Sequence, residues 1–210
     1  MAVTQSGGHL PISLRFAQRH LPLMMKRGFC RAQSASLLLT RSYRGLIRAF
    51  NWWDAIDEHF YLGGALMFDD IERLQRQGVK AVVNLCAERR DDEQRLAEAN
   101  MAYLWLPVID MCAPSFEQIA QGMHWIQHQR QSHHVIYVHC AAGVGRSATL
   151  LACWYVYDQS LSTTEALRRI KSKHPQTALT RRQTHRLKAF AESICLPVAA
   201  PSPAISFSQP

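Results

Sequence analysis

The chain reads as a single α/β domain with a largely parallel central sheet flanked by helices. Three observations predict this. Short apolar runs rich in β-branched and aromatic residues alternate with stretches of helical periodicity. Helix-start signals recur at Ser115 with Gln118, Ser162 with Glu165, and Thr180 with Gln183, each pair spaced as a capping box. The 210 residues, 48% of them hydrophobic, are enough for one core of ordinary size.

In chain order, Phe60-Tyr61-Leu62 opens as a strand. A helix follows over 69–77, and Gly78 ends it because glycine accepts the left-handed backbone of a C-cap. Residues 80–86 form a strand, 91–100 a helix and 103–108 a strand. The next helix, 116–129, places Phe116, Ile119, Ala120, Met123 and Ile126 on one apolar face. Val135-Ile136-Tyr137-Val138 is a buried strand, and a helix beginning near Gly145 or Arg146 runs through the apolar segment 149–156. Two more helices follow the capping boxes at Ser162 and Thr180. In such a domain the working loops lie beyond the carboxyl ends of the strands.

The charge divides the chain into an extension (1–48), a domain (49–195) and a proline- and serine-rich tail (196–210) expected to be disordered. Of 24 Lys and Arg, eight lie in residues 1–53, which contain no Asp or Glu; the other 16 balance the 16 acidic residues. The net charge of +8 is thus a property of the extension, and a nucleic-acid partner is not expected. Three readings fit the extension: a mitochondrial import segment, a contact with an anionic membrane surface, or a plain basic tail. No apolar run approaches the ~20 residues of a membrane span. Six irregularly spaced cysteines suit an intracellular, reducing compartment. No metal-spaced His/Cys cluster occurs, so neither metal nor other cofactor is expected, and His133-His134 reads as a solvated loop. The oligomeric state is left open by the sequence.

The most informative run is His139-Cys140-Ala141-Ala142-Gly143-Val144-Gly145-Arg146-Ser147. It joins a strand to a helix, where successive backbone amides can converge on an anion and the helix N-terminus adds partial positive charge. Gly143 and Gly145 permit the required backbone angles and close approach. A phosphate there would be cradled by amides from Ala141 to Arg146, with Arg146 clamping two oxygens through its planar fork. Cys140 at the mouth of the nest would attack as a thiolate. Ser147 would donate a hydrogen bond to the sulfur, and His139 would fix the loop by hydrogen bonding rather than as a base. The bland alternative for Cys140 is a small buried core thiol.

A leaving alkoxide or phenoxide needs a proton, and Asp110, on the loop after the 103–108 strand, is the best-placed acid. Asp69, Asp70, Asp91 and Asp92 look like helix-start or surface charges.

His139 through Ser147 resembles the signature of the protein-tyrosine and dual-specificity phosphatase superfamily. Asn51-Trp52-Trp53-Asp54-Ala55-Ile56-Asp57-Glu58, Leu62-Gly63 and Val82-Val83-Asn84-Leu85-Cys86 are similar to segments of mitochondrial-type phosphatidylglycerophosphate phosphatases and their bacterial relatives. The likeness covers roughly residues 51–193 and implies a cysteine-phosphatase-like fold and phosphomonoester hydrolysis through a phosphocysteine. The lipid-directed group tends to carry basic residues inside the loop, whereas Ala141, Ala142 and Val144 are uncharged, as in small protein-directed enzymes. The position of Cys86 resembles the place where regenerating-liver phosphatases keep a cysteine that bonds reversibly to the nucleophile, which implies a redox partner for Cys140; a buried strand cysteine is the other reading. Three function classes follow. The leading one is a phosphatase of phosphotyrosine, phosphoserine or phosphothreonine; the others are a phospholipid phosphatase and a non-catalytic phosphate-binding module.

Overall fold

Five strands, β1 (Trp53–Ala55), β2 (Phe60–Gly63), β3 (Val79–Cys86), β4 (Ala102–Val108) and β5 (Val135–His139), form one sheet in the order β1-β2-β5-β3-β4. The structure is a computed structural model and describes residues 53–67 and 69–195. The expected extension (1–48) and tail (196–210) lie outside the described residues, as does Trp52. β2, β5, β3 and β4 run parallel, and β1 adds an antiparallel edge. That edge strand was not anticipated, because three residues are too few to show an alternation.

Helices cover both faces: α1 (Asp70–Arg76), α2 (Glu93–Glu98), α3 (Phe116–Gln131), α4 (Arg146–Gln159), α5 (Thr163–Lys173) and α6 (Arg181–Cys195). The two-residue period of the strands sorts their side chains between two cores. Ala81, Val83, Leu85, Ile136 and Val138 pack with Ile119 of α3, Leu150 and Leu151 of α4, Ile170 of α5 and Leu187 of α6. Val82 and Tyr137 point to the other side, against Trp53, Leu74 of α1 and Leu96 of α2. α4 is apolar nearly all round and is buried from Arg146 to Val156, as expected for a helix laid against a sheet and covered by its neighbours.

The three capping boxes form as spaced. Ser115 and Gln118 reciprocate, as do Ser162 and Glu165. Thr180 N donates to Gln183 Oε1 at 2.9 Å, and Gln183 N donates to Thr180 Oγ1 at 3.3 Å.

Four expectations change. α3 turns Ile119, Gly122, Met123 and Ile126 inward, while Phe116 and Ala120 are exposed. The reason is Gly122: a Cβ there would come within 2.9 Å of Leu150, so the helix approaches the core along its glycine. α2 is shorter than 91–100, because the Asp92 side chain accepts from Arg95 N and caps it at Glu93. Asp70 begins α1 as expected, but it is buried, accepting from Met67 N at 2.8 Å. Asp91 is neither a helix start nor a surface charge; it is buried against His139.

Candidate active site

Four loops converge at one end of the sheet. They follow the carboxyl ends of β2, β3, β4 and β5 and carry Gly63-Gly64, Glu88, Asp110 and Cys140 respectively. The strand order puts β5 between β2 and β3, so the Cys140 loop is flanked on both sides.

The loop from Cys140 to Arg146 is held by its carbonyls. Ala65 N donates to Ala141 O at 3.2 Å, Ala178 N to Val144 O at 3.0 Å, and Thr149 N to Gly145 O at 2.8 Å. The ring Nε2 of His174 lies 3.1 Å from Gly143 O, while its Nδ1 lies 2.7 Å from Asp54 Oδ2. In a planar trans peptide the N–H points opposite to the C=O. With these carbonyls turned to the scaffold, the amides of Ala142, Val144, Gly145 and Arg146 face into the loop. Gly143 adopts φ +71°, and a Cβ on it would lie 2.5 Å from the carbonyl carbon of Gly63. A Cβ on Gly145 would meet Gln183 Oε1 at 2.6 Å. Gly143 is thus required both by backbone contact and by its left-handed conformation, whereas a side chain at Gly145 would have to displace the end of Gln183.

Cys140 is buried at the base of this nest, and Ser147 Oγ donates to its Sγ at 3.3 Å. His139 does not reach the nucleophile as a base. Its Nε2 lies 2.8 Å from Asp91 Oδ2, and its ring stacks on Tyr137 at 5.2 Å. Tyr137 in turn donates to Gly64 O. Together these contacts tie the strand carrying the nucleophile to the loops after β2 and β3.

Arg146 is 2% exposed, and most of its donors are engaged. Nη1 donates to Glu88 Oε2 at 2.7 Å and to Val108 O at 2.8 Å, while Nη2 donates to Glu88 Oε1 at 2.7 Å. Asp110 Oδ1 lies 3.1 Å from Nη2. The fork is therefore oriented by Glu88 and the β4 carbonyl, with Asp110 against the outer side of Nη2, and an incoming oxyanion would meet Arg146 along its Nε and Nη2 edge beside that carboxylate. Burial alone would lower the basicity of Arg146; the Glu88 hydrogen bonds and nearby negative charge outweigh it and raise its pKa. Burial would raise the Glu88 pKa, but the Arg146 hydrogen bonds hold it below the usual carboxylate range. The arrangement can grip a tetrahedral oxyanion, present a sulfur nucleophile beneath it and supply a carboxyl group beside it.

The structure thus brings Cys140, Arg146, Ser147 and Asp110 together and puts His139 behind the loop. Cys86 ends β3 as a buried free thiol, and burial followed by the Cys140 charge pushes its pKa well up. Sequence reasoning missed Glu88, Asp91, His174 and Asp54. An acidic residue two positions beyond a strand on the functional rim was the available signal for Glu88; a buried bridging histidine such as His174 offers none.

A protein-family model described as "Polymorphic toxin system, DSP-PTPase phosphatase" matches residues 60–160. The chain is 30% identical over 145 residues to phosphatidylglycerophosphate phosphatase PTPMT2 of Arabidopsis thaliana, covering 68% of this chain and 64% of that protein. A mouse protein, phosphatidylglycerophosphatase and protein-tyrosine phosphatase 1, is 25% identical, with 81% and 93% covered. The chain thus spans 64% of that Arabidopsis protein's length, and 41% of the length of phosphatidylglycerophosphate phosphatase PTPMT1 of Arabidopsis thaliana, to which it is 29% identical. Among solved structures, Tk-PTP in its active form superposes with TM-score 0.63 at 27% identity, over 67% of this chain and 97% of that one. PTPMT1 in complex with PI(5)P superposes with TM-score 0.65 at 23% identity, over 69% and 97%.

Proposed function

The chain belongs to the cysteine-based phosphatase superfamily, with phosphatidylglycerophosphate phosphatases among its relatives, and from that premise we propose that it hydrolyses phosphomonoesters through a phosphocysteine intermediate. The observation that carries the proposal is the Cys140 sulfur beneath a nest whose amides face inward, beside an arginine fork already oriented by Glu88.

Bound through the loop amides and the Nε and Nη2 edge of Arg146, the phosphoryl group would lie in line with Cys140 Sγ. The thiolate attacks phosphorus, the ester P–O bond breaks, and Asp110 gives its proton to the leaving oxygen. Asp110, now ionised, takes a proton from water as the water oxygen attacks phosphorus. The P–S bond breaks, and the Ser147 hydrogen bond stabilises the departing thiolate. His139 and Asp91 position the loop and exchange no proton with substrate.

Two substrate classes have support. The names of the relatives favour a phospholipid head group. The uncharged positions Ala141, Ala142 and Val144 favour the shallow phosphoprotein reading. Phosphate release should be measured in parallel on phosphotyrosine peptide, phosphothreonine peptide and phosphatidylglycerophosphate, for wild type and Cys140→Ser. Loss of release in the variant establishes the cysteine mechanism, and the preferred substrate selects the class. Wild type inert on all of them would sink the proposal.

Cys86 has a proposed second role. A sulfenylated Cys140, formed by peroxide, would be attacked by the Cys86 thiol to give a disulfide and water, protecting the nucleophile from further oxidation. A Cys86–Cys140 crosslink by mass spectrometry after mild peroxide is expected; its absence removes the role.

A further inference from the structure

Five large hydrophobic side chains stand exposed among the described residues, and three of them cluster beside the catalytic cleft: Ile109 (70%), Met111 (55%) and Phe116 (40%). Ile109 and Met111 flank Asp110, Phe116 opens α3 just beyond, and the backbone that carries them is secured. Cys112 N donates to Ile109 O at 3.0 Å, closing a turn in which Met111 takes φ 62°. Thr180 Oγ1 donates to Met111 O at 3.2 Å, and Gln183 Nε2 donates to Cys112 O at 2.8 Å. The apolar tips are thus held in water by a hydrogen-bonded frame, although collapse against the domain would hide them.

The same frame brings cationic side chains of α6 alongside. Arg182 Nη1 lies 3.8 Å from Cys112 Sγ, and the Arg186 guanidinium sits 4.4 Å over the Phe116 ring. Arg181 and Arg182 are exposed, with His185 one turn on. Two carboxylates are near. Asp110 lies 3.1 Å from Arg146 Nη2 and Glu117 is drawn to Ser115 and Arg186, so each carboxylate has a cationic neighbour, while the exposed Arg181 and Arg182 add two positive charges to this face.

We propose that this rim is a docking surface for an anionic lipid bilayer, pressing the mouth of the Cys140 cleft against the head-group layer. Separate aliphatic, thioether and aromatic tips, flanked by arginines, suit a membrane interface, which takes apolar groups and cations side by side. A purely acidic protein segment would meet the arginines but would leave the apolar tips in water. The inference rests on the phospholipid reading of the same site and supplies the means by which the cleft would reach a substrate whose tails stay in the bilayer. Among the described residues no helix is long and apolar enough to cross a membrane, so the contact is peripheral in kind.

The test is co-sedimentation of the full chain with vesicles of phosphatidylcholine alone or mixed with phosphatidylglycerol. It compares wild type with Ile109→Ser/Phe116→Ser and with Arg181→Gln/Arg182→Gln, while hydrolysis of soluble p-nitrophenyl phosphate reports on the cleft itself. Wild type should bind the anionic vesicles, and the apolar variant should bind about tenfold more weakly. The arginine variant should lose about thirtyfold on anionic vesicles and little on neutral ones. Both should keep soluble-ester turnover within about twofold of wild type. Should the apolar variant misfold, the arginine pair, on the exposed start of α6, decides alone. Undiminished anionic-vesicle binding in the arginine variant overturns the proposal, whether the binding comes from elsewhere in the chain or not. Failure of the lipid-substrate reading looks different: docking follows the predicted pattern while phosphatidylglycerophosphate is not hydrolysed.

Discussion

Replacing Glu88 by Gln tests whether Arg146 is aimed by its partner rather than by its own loop. The Arg146 side chain is 2% exposed and makes two 2.7 Å charge-assisted bonds to a Glu88 side chain that is 40% exposed. Removing one member of a fully buried ion pair costs about 3–5 kcal/mol. Water reaches Glu88 and screens the pair, and Gln keeps one acceptor oxygen, so about 1–2 kcal/mol is expected here. In a chain of this size that lowers the melting temperature by about 2–8 °C. The larger effect should be on catalysis. Released from one bond, the guanidinium can swing toward Val108 O, and a misplacement of ~1 Å can cost ~100-fold. We expect kcat/KM on a soluble aryl phosphate to fall roughly 30- to 100-fold in Glu88→Gln, with circular dichroism unchanged. A variant with kcat/KM within about twofold of wild type and an unshifted melting curve would refute the reasoning.

Three further outcomes follow from the same site. Gly143→Ala must place a Cβ 2.5 Å from the Gly63 carbonyl carbon at φ +71°, so it should lower stability by more than ~1 kcal/mol in thermal denaturation and abolish turnover. Asp110→Asn should reduce turnover of alkyl phosphates roughly 100-fold or more, and p-nitrophenyl phosphate far less, because that leaving group departs without a proton; equal losses on both would remove Asp110 as the acid. The folded Glu88 pKa is depressed below 4.5, so its stabilisation is full above that value and is lost as pH falls through the folded pKa. The stability gap between wild type and Glu88→Gln should therefore be constant near neutrality and close in acid, measured by urea unfolding across pH; a gap that widens in acid would contradict the pairing.

The nest was legible because its parts are contiguous. Cys140, Gly143, Gly145 and Arg146 fall within one strand-to-helix loop, and their residue types alone point to inward amides beside a thiol and an arginine. Asp110 was legible because a strand pattern led directly into its loop. What stayed hidden depends on tertiary approach. Glu88 meets Arg146 across 58 residues, Asp91 meets His139 across 48, and Asp54 meets His174 across 120. No local period encodes such pairings. Ser115, Ser162 and Thr180 began their helices as spaced, since capping is decided within one turn. The face of α3 was misjudged because periodicity counts apolar residues and cannot see that Gly122, with no side chain, lets the helix sit closest to Leu150.

The back-to-back contact of Gly63 and Gly143 has a kinetic consequence. A loop whose carbonyls are fixed by Ala65, His174, Ala178 and Thr149 is held in shape by the scaffold rather than by a bound ester. On the proposed function, amides that hold the phosphoryl group of a substrate would also hold free inorganic phosphate, since they respond to the anion and not to what was attached to it. Inhibition by phosphate is the expected result, and turnover would be fastest where phosphate is drawn away as it forms.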